Sequence, residues 1–232
     1  MAGQSLLIAG TDTGVGKTLL TAVIASYYQR YYPERRVAVY KPIQSGTGDR
    51  EYYQQVLHLA QSLEDITPIF LSAPLAPPIA AEKEKRQIDL GCIWHKYQQL
   101  LGEYDLVLVE TLGGLGSPIT YDYLVADLVR DWQIPTLLVG VVRLGGIAQI
   151  VANVALARSL GVLLKGIVLN CLTPESREYL SDLTPPDLIE SLVNLPVWGV
   201  LPPIADTSSS LALSEAARAL HLPLQKLWSH GL

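Results

Sequence analysis

The chain has 232 residues, of which 49% are hydrophobic and 17% charged, and its formal net charge is −5. This composition is too apolar for a disordered chain. The acidic balance argues against a nucleic-acid partner or an anionic membrane surface, because both require a basic face. The longest apolar run, residues 134–142, contains Pro135 and is well short of the ~18 residues that a membrane span needs.

Other classes of protein are also disfavoured. No basic residue precedes Lys17, so we expect no secretory signal. Cys92 and Cys171 are too few for a disulfide scaffold and lie in no zinc motif, so we expect both to be small, buried apolar side chains. The expectation is one cytoplasmic domain over residues 1–232 that binds neither nucleic acid nor a membrane.

Hydrophobic patterning predicts strands that alternate with helices. In chain order the predicted elements are a strand at 5–10, a helix at 17–30, a strand at 36–41, helices at 49–63 and 88–101, a strand at 105–110, a helix at 121–132, a strand at 135–142, a helix at 146–160, a strand at 163–170, a helix at 186–193, a strand at 197–200 and a helix at 214–227. The proline-rich segment 67–81 is predicted to lack regular structure beyond a turn or two.

This alternation predicts an α/β fold: a single doubly wound, mainly parallel sheet with helices on both faces. Helices of 10–15 residues between strands imply right-handed crossovers and parallel pairing. Ligands of such sheets bind outside the carboxyl ends of the strands. The motifs described next all lie at such ends.

The strongest motif follows the first strand and opens a helix: Gly10-Thr-Asp-Thr-Gly-Val-Gly-Lys17-Thr18. Small residues let successive backbone N–H groups converge on phosphate oxygens at a helix N-terminus. Lys17 would reach the β and γ phosphates, and the Thr18 hydroxyl would ligate Mg²⁺. Thr11 stands where the strict P-loop pattern has its first glycine, but the strand–loop–helix setting still predicts a P-loop NTPase.

Two acidic residues are candidate partners for such a loop. Glu110 ends a buried strand, where an acid is a metal ligand, a general base or simply a strand terminator facing water. Asp49 follows a Gly-Thr-Gly turn and is either a helix cap or a second carboxylate for Mg²⁺, which prefers hard oxygen ligands.

Together with Tyr40-Lys41-Pro42-Ile43-Gln44-Ser45-Gly46, these segments resemble the dethiobiotin synthetase family over residues 7–206. That family contains ATP-dependent enzymes of biotin synthesis. Partitioning and iron-protein ATPases carry a second lysine five residues before the P-loop lysine. The acid at that position here, Asp12, matches the synthetases.

The resemblance implies a role for each matching position. Lys17 and Lys41 are implied to be the catalytic lysines, ATP the co-substrate, and Mg²⁺ the cofactor. The implied metal ligands are Thr18, Asp49 and Glu110. The implied nucleotide contacts are Gly14, Val15, Gly16, Lys17, Thr18, Leu19, Asp49, Glu110, Thr111, Leu112, Gly113, Asn170, Cys171, Pro202, Pro203 and Ile204.

The implied substrates are 7,8-diaminononanoate and CO₂ or bicarbonate. Their implied contacts are Thr13, Ser45, Gly145 and Gly146, the last two reaching across the interface of a homodimer. Residues 77–81 are a secondary candidate for contact with the substrate, because the matching segment lies near substrate in the family. In the implied reaction an amine captures CO₂ as a carbamate, ATP phosphorylates the carbamate, and the second amine closes a cyclic urea. Two lysines and Mg²⁺ would offset the repulsion between the carbamate and the γ-phosphate.

The sequence departs from the family pattern at several positions. Thr111 and Leu112 replace smaller residues near phosphate, and Ala148 replaces an asparagine. Cys171 replaces an aspartate that often follows the adenine-binding asparagine, and Ser209 replaces an acid that contacts ribose in some members. Nucleotide selectivity therefore stays open.

Two alternative functions remain. One is an activating enzyme like the ATPase part of cobyrinate amidotransferases, which usually continues into a glutaminase domain that we do not expect here. The other is a nucleotide switch of the partitioning type, which would need a lysine at position 12 and commonly has a basic or amphipathic tail. ATP hydrolysis that needs both diaminononanoate and bicarbonate would identify the synthetase.

Overall fold

The computed structural model describes residues 3–220. Its strands are β1 (Gln4–Gly10), β2 (Val37–Tyr40), β3 (Ile43–Ser45), β4 (Ile69–Leu71), β5 (Leu106–Glu110), β6 (Thr136–Val141), β7 (Leu164–Asn170) and β8 (Val197–Leu201). Its α-helices are α1 (Lys17–Tyr31), α2 (Asp49–Leu57), α3 (Leu63–Ile66), α4 (Pro77–Lys83), α5 (Leu90–Glu103), α6 (Val125–Trp132), α7 (Gly146–Leu160), α8 (Pro174–Glu178), α9 (Leu180–Leu183), α10 (Pro186–Val193) and α11 (Ser210–Ala216). A short 3-10 helix, Ala217–Ala219, follows α11.

Six of the strands form one parallel sheet in the order β2-β5-β1-β6-β7-β8. The first strand, β1, is central, with β5 on one side and β6 on the other. From β1 the chain first forms β2 and β5 on one side and then crosses to β6 on the other side. This change of side opens a crevice at the carboxyl end of β1. The predicted doubly wound α/β fold is confirmed. A separate pair, β3 with β4, is also parallel and lies beside this edge of the sheet.

The sheet is buried on both faces. Along β1, Leu7 and Ala9 belong to one hydrophobic cluster and Leu6 and Ile8 to the other, as the alternation of side chains in a strand requires. Helices α5, α6, α7 and α10 cover the first face, and α1, α2 and α11 cover the second. Burial on both faces explains why the strands are continuous apolar runs.

Most predicted elements are confirmed to within a few residues, and β3, α3, α8 and α9 are present without having been predicted. Three predictions differ more. The helix predicted over 49–63 ends at Leu57, because His58 takes a left-handed conformation with φ 47°. The segment 67–81 contains β4 and the start of α4, so the prediction of irregular structure there was wrong in part. The final helix, predicted over 214–227, begins earlier, at Ser210, and its predicted second half lies outside the described residues.

One prediction about the cysteines was wrong. Cys171 is buried as expected, but Cys92 is exposed on the outer side of α5. Within residues 3–220, none of the helices has both the length and the apolar character needed to cross a bilayer.

Candidate active site

The loop between β1 and α1 has the backbone geometry of a phosphate-binding loop. Gly14 and Gly16 have φ values of 73° and 96°, which glycine adopts without the steric cost that other residues pay. A Cβ on Gly16 would lie 2.0 Å from the side-chain nitrogen of Asn170, so position 16 has no room for a side chain. Gly16 also caps α1, and the first turn of that helix carries no acidic residue. The partial positive charge at the N-terminus of α1 therefore favours the binding of an anion.

Four side chains, from α1, α2, β5 and the residue that follows β2, form an ion cluster beside this loop. The Thr18 hydroxyl lies 3.1 Å from Asp49 Oδ1 and 2.9 Å from Glu110 Oε1, and it donates to these carboxylates. The Lys41 ammonium donates to Asp49 Oδ2 and, over 3.0 Å, to Glu110 Oε1. Lys41 is only 4% exposed and Glu110 only 1%. Charges buried this deeply are stable only when they are paired, and here the Lys41 ammonium and the Glu110 carboxylate pair with each other.

The two lysines of the site are in different electrostatic surroundings. Burial alone would lower the pKa of Lys41, but the adjacent carboxylates of Glu110 and Asp49 outweigh it and raise that pKa above its usual value. Lys17 donates to the backbone carbonyl of Asp12 over 2.9 Å. Burial lowers the pKa of Lys17 to about 8, against the opposing effect of Glu110. Lys17 is therefore a desolvated cation that contacts no carboxylate of residues 3–220, which is a favourable arrangement for binding an anion.

The oxygens of Thr18, Asp49 and Glu110 fit the requirements of Mg²⁺. They comprise two carboxylates and one hydroxyl, which are hard ligands, and they converge from α1, α2 and β5 so that the hydroxyl lies within hydrogen-bond distance of both carboxylates. Mg²⁺ is commonly bound by one or two carboxylates together with substrate phosphates. The two carboxylates are paired with the Lys41 ammonium here, so they already accommodate a cation.

A cavity of about 970 Å³ opens above the loop and the ion cluster. The predicted site residues among its lining are Thr13, Gly14, Gly16, Lys17, Thr18, Leu19, Lys41, Ser45, Asp49, Glu110, Leu112 and Gly113. Ser45 contributes a hydroxyl that has no hydrogen-bond partner among the described residues. The structure thus brings most of the predicted residues around one cavity, including both lysines and all three candidate metal ligands.

Other predicted residues lie next to this cavity and do not line it. Asn170 is fully buried beneath the loop, and its side-chain Nδ2 donates to the carbonyl of Val15 over 2.9 Å, while its side-chain Oδ1 has no partner in the described part of the chain. The Thr111 side chain turns inward, with its hydroxyl 3.4 Å from the Ile8 carbonyl. Cys171 is buried behind them.

The remaining predicted positions are further out. The segment of Pro202, Pro203 and Ile204 is half-buried after β8, and its neighbour Thr207 reaches the cavity wall. Gly145 and Gly146 begin α7 at the same edge of the sheet. They are linked to the loop through Arg143, whose guanidinium lies 3.8 Å from the Asp12 carboxylate.

Sequence reasoning missed several residues of the site. The apolar wall of the cavity includes Pro74, Leu75, Ala76, Pro77, Pro118 and Leu172, and only Pro77 fell within a predicted candidate segment. Tyr53 is fully buried and donates from its phenol to Glu110 Oε2. Burial, reinforced by the Glu110 charge, holds the pKa of this phenol well above its usual value, so it stays a donor. Its spacing of four residues from Asp49 within one helix was the available signal.

Comparison with known proteins identifies the family. The model of an AAA domain family matches residues 4–210. The ATP-dependent dethiobiotin synthetase BioD of Gloeothece citriformis is 46% identical over 218 residues, which cover 94% of this chain and 96% of that protein. The enzyme of the same name from Bacillus subtilis is 30% identical over 227 residues, covering 95% and 96%.

Solved structures support the fold. The MinC:MinD cell division complex of Aquifex aeolicus aligns with a TM-score of 0.63 at 17% identity, covering 99% of this chain and 98% of that one. A ParA family ATPase from Chlorobium tepidum aligns with a TM-score of 0.58 at 16% identity, covering 97% and 96%. At these identities the likeness concerns the fold alone. The matches to curated relatives extend over nearly the whole chain at much higher identity, and the chain therefore belongs to the ATP-dependent dethiobiotin synthetase family.

Proposed function

We propose that this protein is a dethiobiotin synthetase, which uses ATP to close a cyclic urea from 7,8-diaminononanoate and CO₂. The observation that carries the proposal is the position of Lys41, a second lysine in the same cavity as the P-loop lysine and paired with two carboxylates, the buried Glu110 and the partly exposed Asp49. The P-loop motif itself supplies a single lysine, and Lys41 adds a second cation from a different part of the chain. A reaction that joins two anions needs positive charge on both of them.

The loop and Lys17 bind the phosphates in this proposal. The backbone N–H groups around Gly14 and Gly16 and the N-terminus of α1 supply partial positive charge, and Lys17 adds a full charge near the β and γ phosphates. The resemblance assigns the adenine contact to Asn170, whose side-chain Oδ1 is buried and lacks a partner among the described residues. The other nucleotide contacts follow from the resemblance set out above.

Lys41 holds the carbamate oxygen against the γ-phosphate. One amine of the substrate first adds to CO₂ and loses a proton, which gives the carbamate anion. The carbamate oxygen attacks the γ-phosphorus and ADP leaves, so that a carbamic–phosphoric anhydride forms. The second amine then attacks the carbamate carbon, expels inorganic phosphate and closes the ring. The protein contributes position and positive charge at each stage and forms no covalent bond to the substrate.

Thr18, Asp49 and Glu110 would hold the Mg²⁺ that accompanies ATP. When bound, Mg²⁺ neutralises charge on the phosphate oxygens. The residues that hold it come from three different elements, so their spacing depends on correct packing of α1 and α2 against β5. In this structure the Lys41 ammonium balances the same carboxylates, and a divalent cation is an alternative partner for them.

The rest of the cavity suits a long, mainly aliphatic substrate. Leu75, Leu112 and Pro118 give its wall an apolar surface on which methylene groups can be buried, while Thr13 and Ser45 supply hydroxyls near the reacting end. For the distant carboxylate we propose the N-terminus of α7 in a second copy of the chain, at Gly145 and Gly146. The protein would then be a cytoplasmic homodimer with the substrate near the interface, and sedimentation of the purified protein tests the dimer.

A nucleotide switch of the partitioning type is disfavoured. The structures of that class share only the fold with this chain. Asp12 occupies the position of their second lysine, where its carboxylate accepts from the Thr13 backbone N–H over 2.7 Å and pairs with Arg143. An acid in this position would repel phosphate that a lysine would attract.

One coupled assay tests the proposed function. The purified protein is incubated with 7,8-diaminononanoate, bicarbonate and MgATP, and dethiobiotin is detected by mass spectrometry. We expect one ADP for each dethiobiotin and little ATP hydrolysis when either diaminononanoate or bicarbonate is omitted. ATP hydrolysis that is independent of both substrates, with no dethiobiotin formed, would refute the proposal.

A further inference from the structure

Tyr53 is buried against the carboxylate of Glu110 and takes no part in the reaction described above. Its phenol donates to Oε2 of Glu110, whereas the other oxygen, Oε1, accepts from the Thr18 hydroxyl and the Lys41 ammonium. We propose that Tyr53 is a positioning residue that orients the Glu110 carboxylate for cation binding. The inference rests on the proposed role of Glu110 as a cation ligand.

Helix α2 links the two carboxylates of the site through Tyr53. Asp49 begins this helix and Tyr53 lies four residues later, so both side chains project from the same face. One helix therefore supplies one carboxylate directly and fixes the orientation of the other.

The phenol matters because Glu110 has little access to water. The residue is 1% exposed, so solvent cannot readily replace a lost donor at Oε2. A buried charged oxygen that loses its donor bears most of its desolvation cost, and the carboxylate reorients to find another partner. Groups that hydrogen-bond to metal-ligating carboxylates typically change metal affinity about 10- to 100-fold when they are removed.

The test is Tyr53→Phe, which keeps the ring and removes only the hydroxyl. The affinity for Mn²⁺, a spectroscopic substitute for Mg²⁺, is measured by electron paramagnetic resonance of the free ion, with the protein saturated by a non-hydrolysable ATP analogue. We expect Mn²⁺ to bind about tenfold more weakly. Affinity for the analogue without metal should not change. The measurement uses no diaminononanoate, so it is independent of whether the protein makes dethiobiotin.

Tyr97→Phe is the matched control. Tyr97 is also buried, and its hydroxyl shares a hydrogen bond of 2.7 Å with Ser5 near the amino end of β1, away from the cavity. This variant should bind Mn²⁺ like the original protein. Circular dichroism and thermal denaturation in chelator establish that each variant is folded.

A double-mutant cycle shows whether Tyr53 acts through Glu110. In the Glu110→Gln background, Tyr53→Phe should weaken Mn²⁺ binding by less than twofold, because the group it orients is no longer a carboxylate. An equal effect of Tyr53→Phe in both backgrounds would overturn the proposal. So would a folded Tyr53→Phe protein with unchanged Mn²⁺ affinity.

Discussion

Removal of the Lys41 ammonium is expected to slow turnover strongly while leaving ATP binding nearly intact. In Lys41→Ala the carboxylates of Asp49 and Glu110 lose their shared cation, and the carbamate loses its positive partner. Two unit charges about 4 Å apart interact by about 4 kcal/mol at the effective dielectric near a protein surface. That energy corresponds to a rate factor of about 10³, and the charge of Lys17 and of a bound cation reduces it, so we expect turnover to fall by about 10².

Two measurements separate turnover from binding. Dethiobiotin formation at saturating substrates gives kcat, and calorimetric titration with a non-hydrolysable ATP analogue gives nucleotide affinity. Lys96→Ala is the matched control, because Lys96 pairs with Asp65 over 2.8 Å outside the cavity, and its turnover should be unchanged. A folded Lys41→Ala protein with turnover within a factor of three of the original would refute the role given to Lys41.

Three further predictions concern the loop and the stability of the fold. Lys17→Ala should weaken binding of the ATP analogue by about tenfold or more in calorimetry, because a buried cation near the phosphates is lost; unchanged affinity would contradict the loop assignment. Gly16→Ala should lower the melting temperature more than Gly14→Ala, because both have positive φ but only position 16 would clash with the buried amide beneath it. A hydrogen bond from Lys96 holds the pKa of Asp65 below its usual value. This stabilising contribution is therefore present at neutral pH and lost as the pH falls through the folded-state pKa, so the melting temperature of Asp65→Asn should converge on that of the original protein in acid.

The sequence predicted the strands whose own residues identify them and missed the strands that exist only through pairing with a distant segment. The central strands β1, β5, β6 and β7 are apolar runs buried on both faces, so composition alone indicates them. The short strands β3 and β4 have three residues each and exist because they pair with one another, which no local pattern reveals. Prolines 77 and 78 suggested irregular structure, but they occupy the first turn of α4, where a missing N–H group costs nothing.

For the site, the sequence indicated residues that follow strands and missed those brought in by tertiary packing. Lys41 and Glu110 end or follow strands of a parallel sheet, and such ends meet at one edge. Leu172 and Thr207 reach the cavity from distant loops, and nothing in their local sequence signals this. The four-residue spacing between Asp49 and Tyr53 could have indicated Tyr53. However, an aromatic residue on a helix is more commonly part of the core than a hydrogen-bond donor to a carboxylate.

The charged side chains that line the cavity sum to zero when Lys17 is counted with the ion cluster, and this neutrality connects stability with reaction. Lys17 and Lys41 carry two positive charges, and Asp49 and Glu110 carry two negative ones. Removing one member of a buried pair typically costs about 3–5 kcal/mol, so the fold depends on the balance. Polyphosphate alone would make the cavity strongly negative. A divalent cation that binds with it offsets part of this charge and competes with the Lys41 ammonium for the carboxylates. The ammonium would then lie beside the phosphates with no carboxylate in contact, where a second anion must bind.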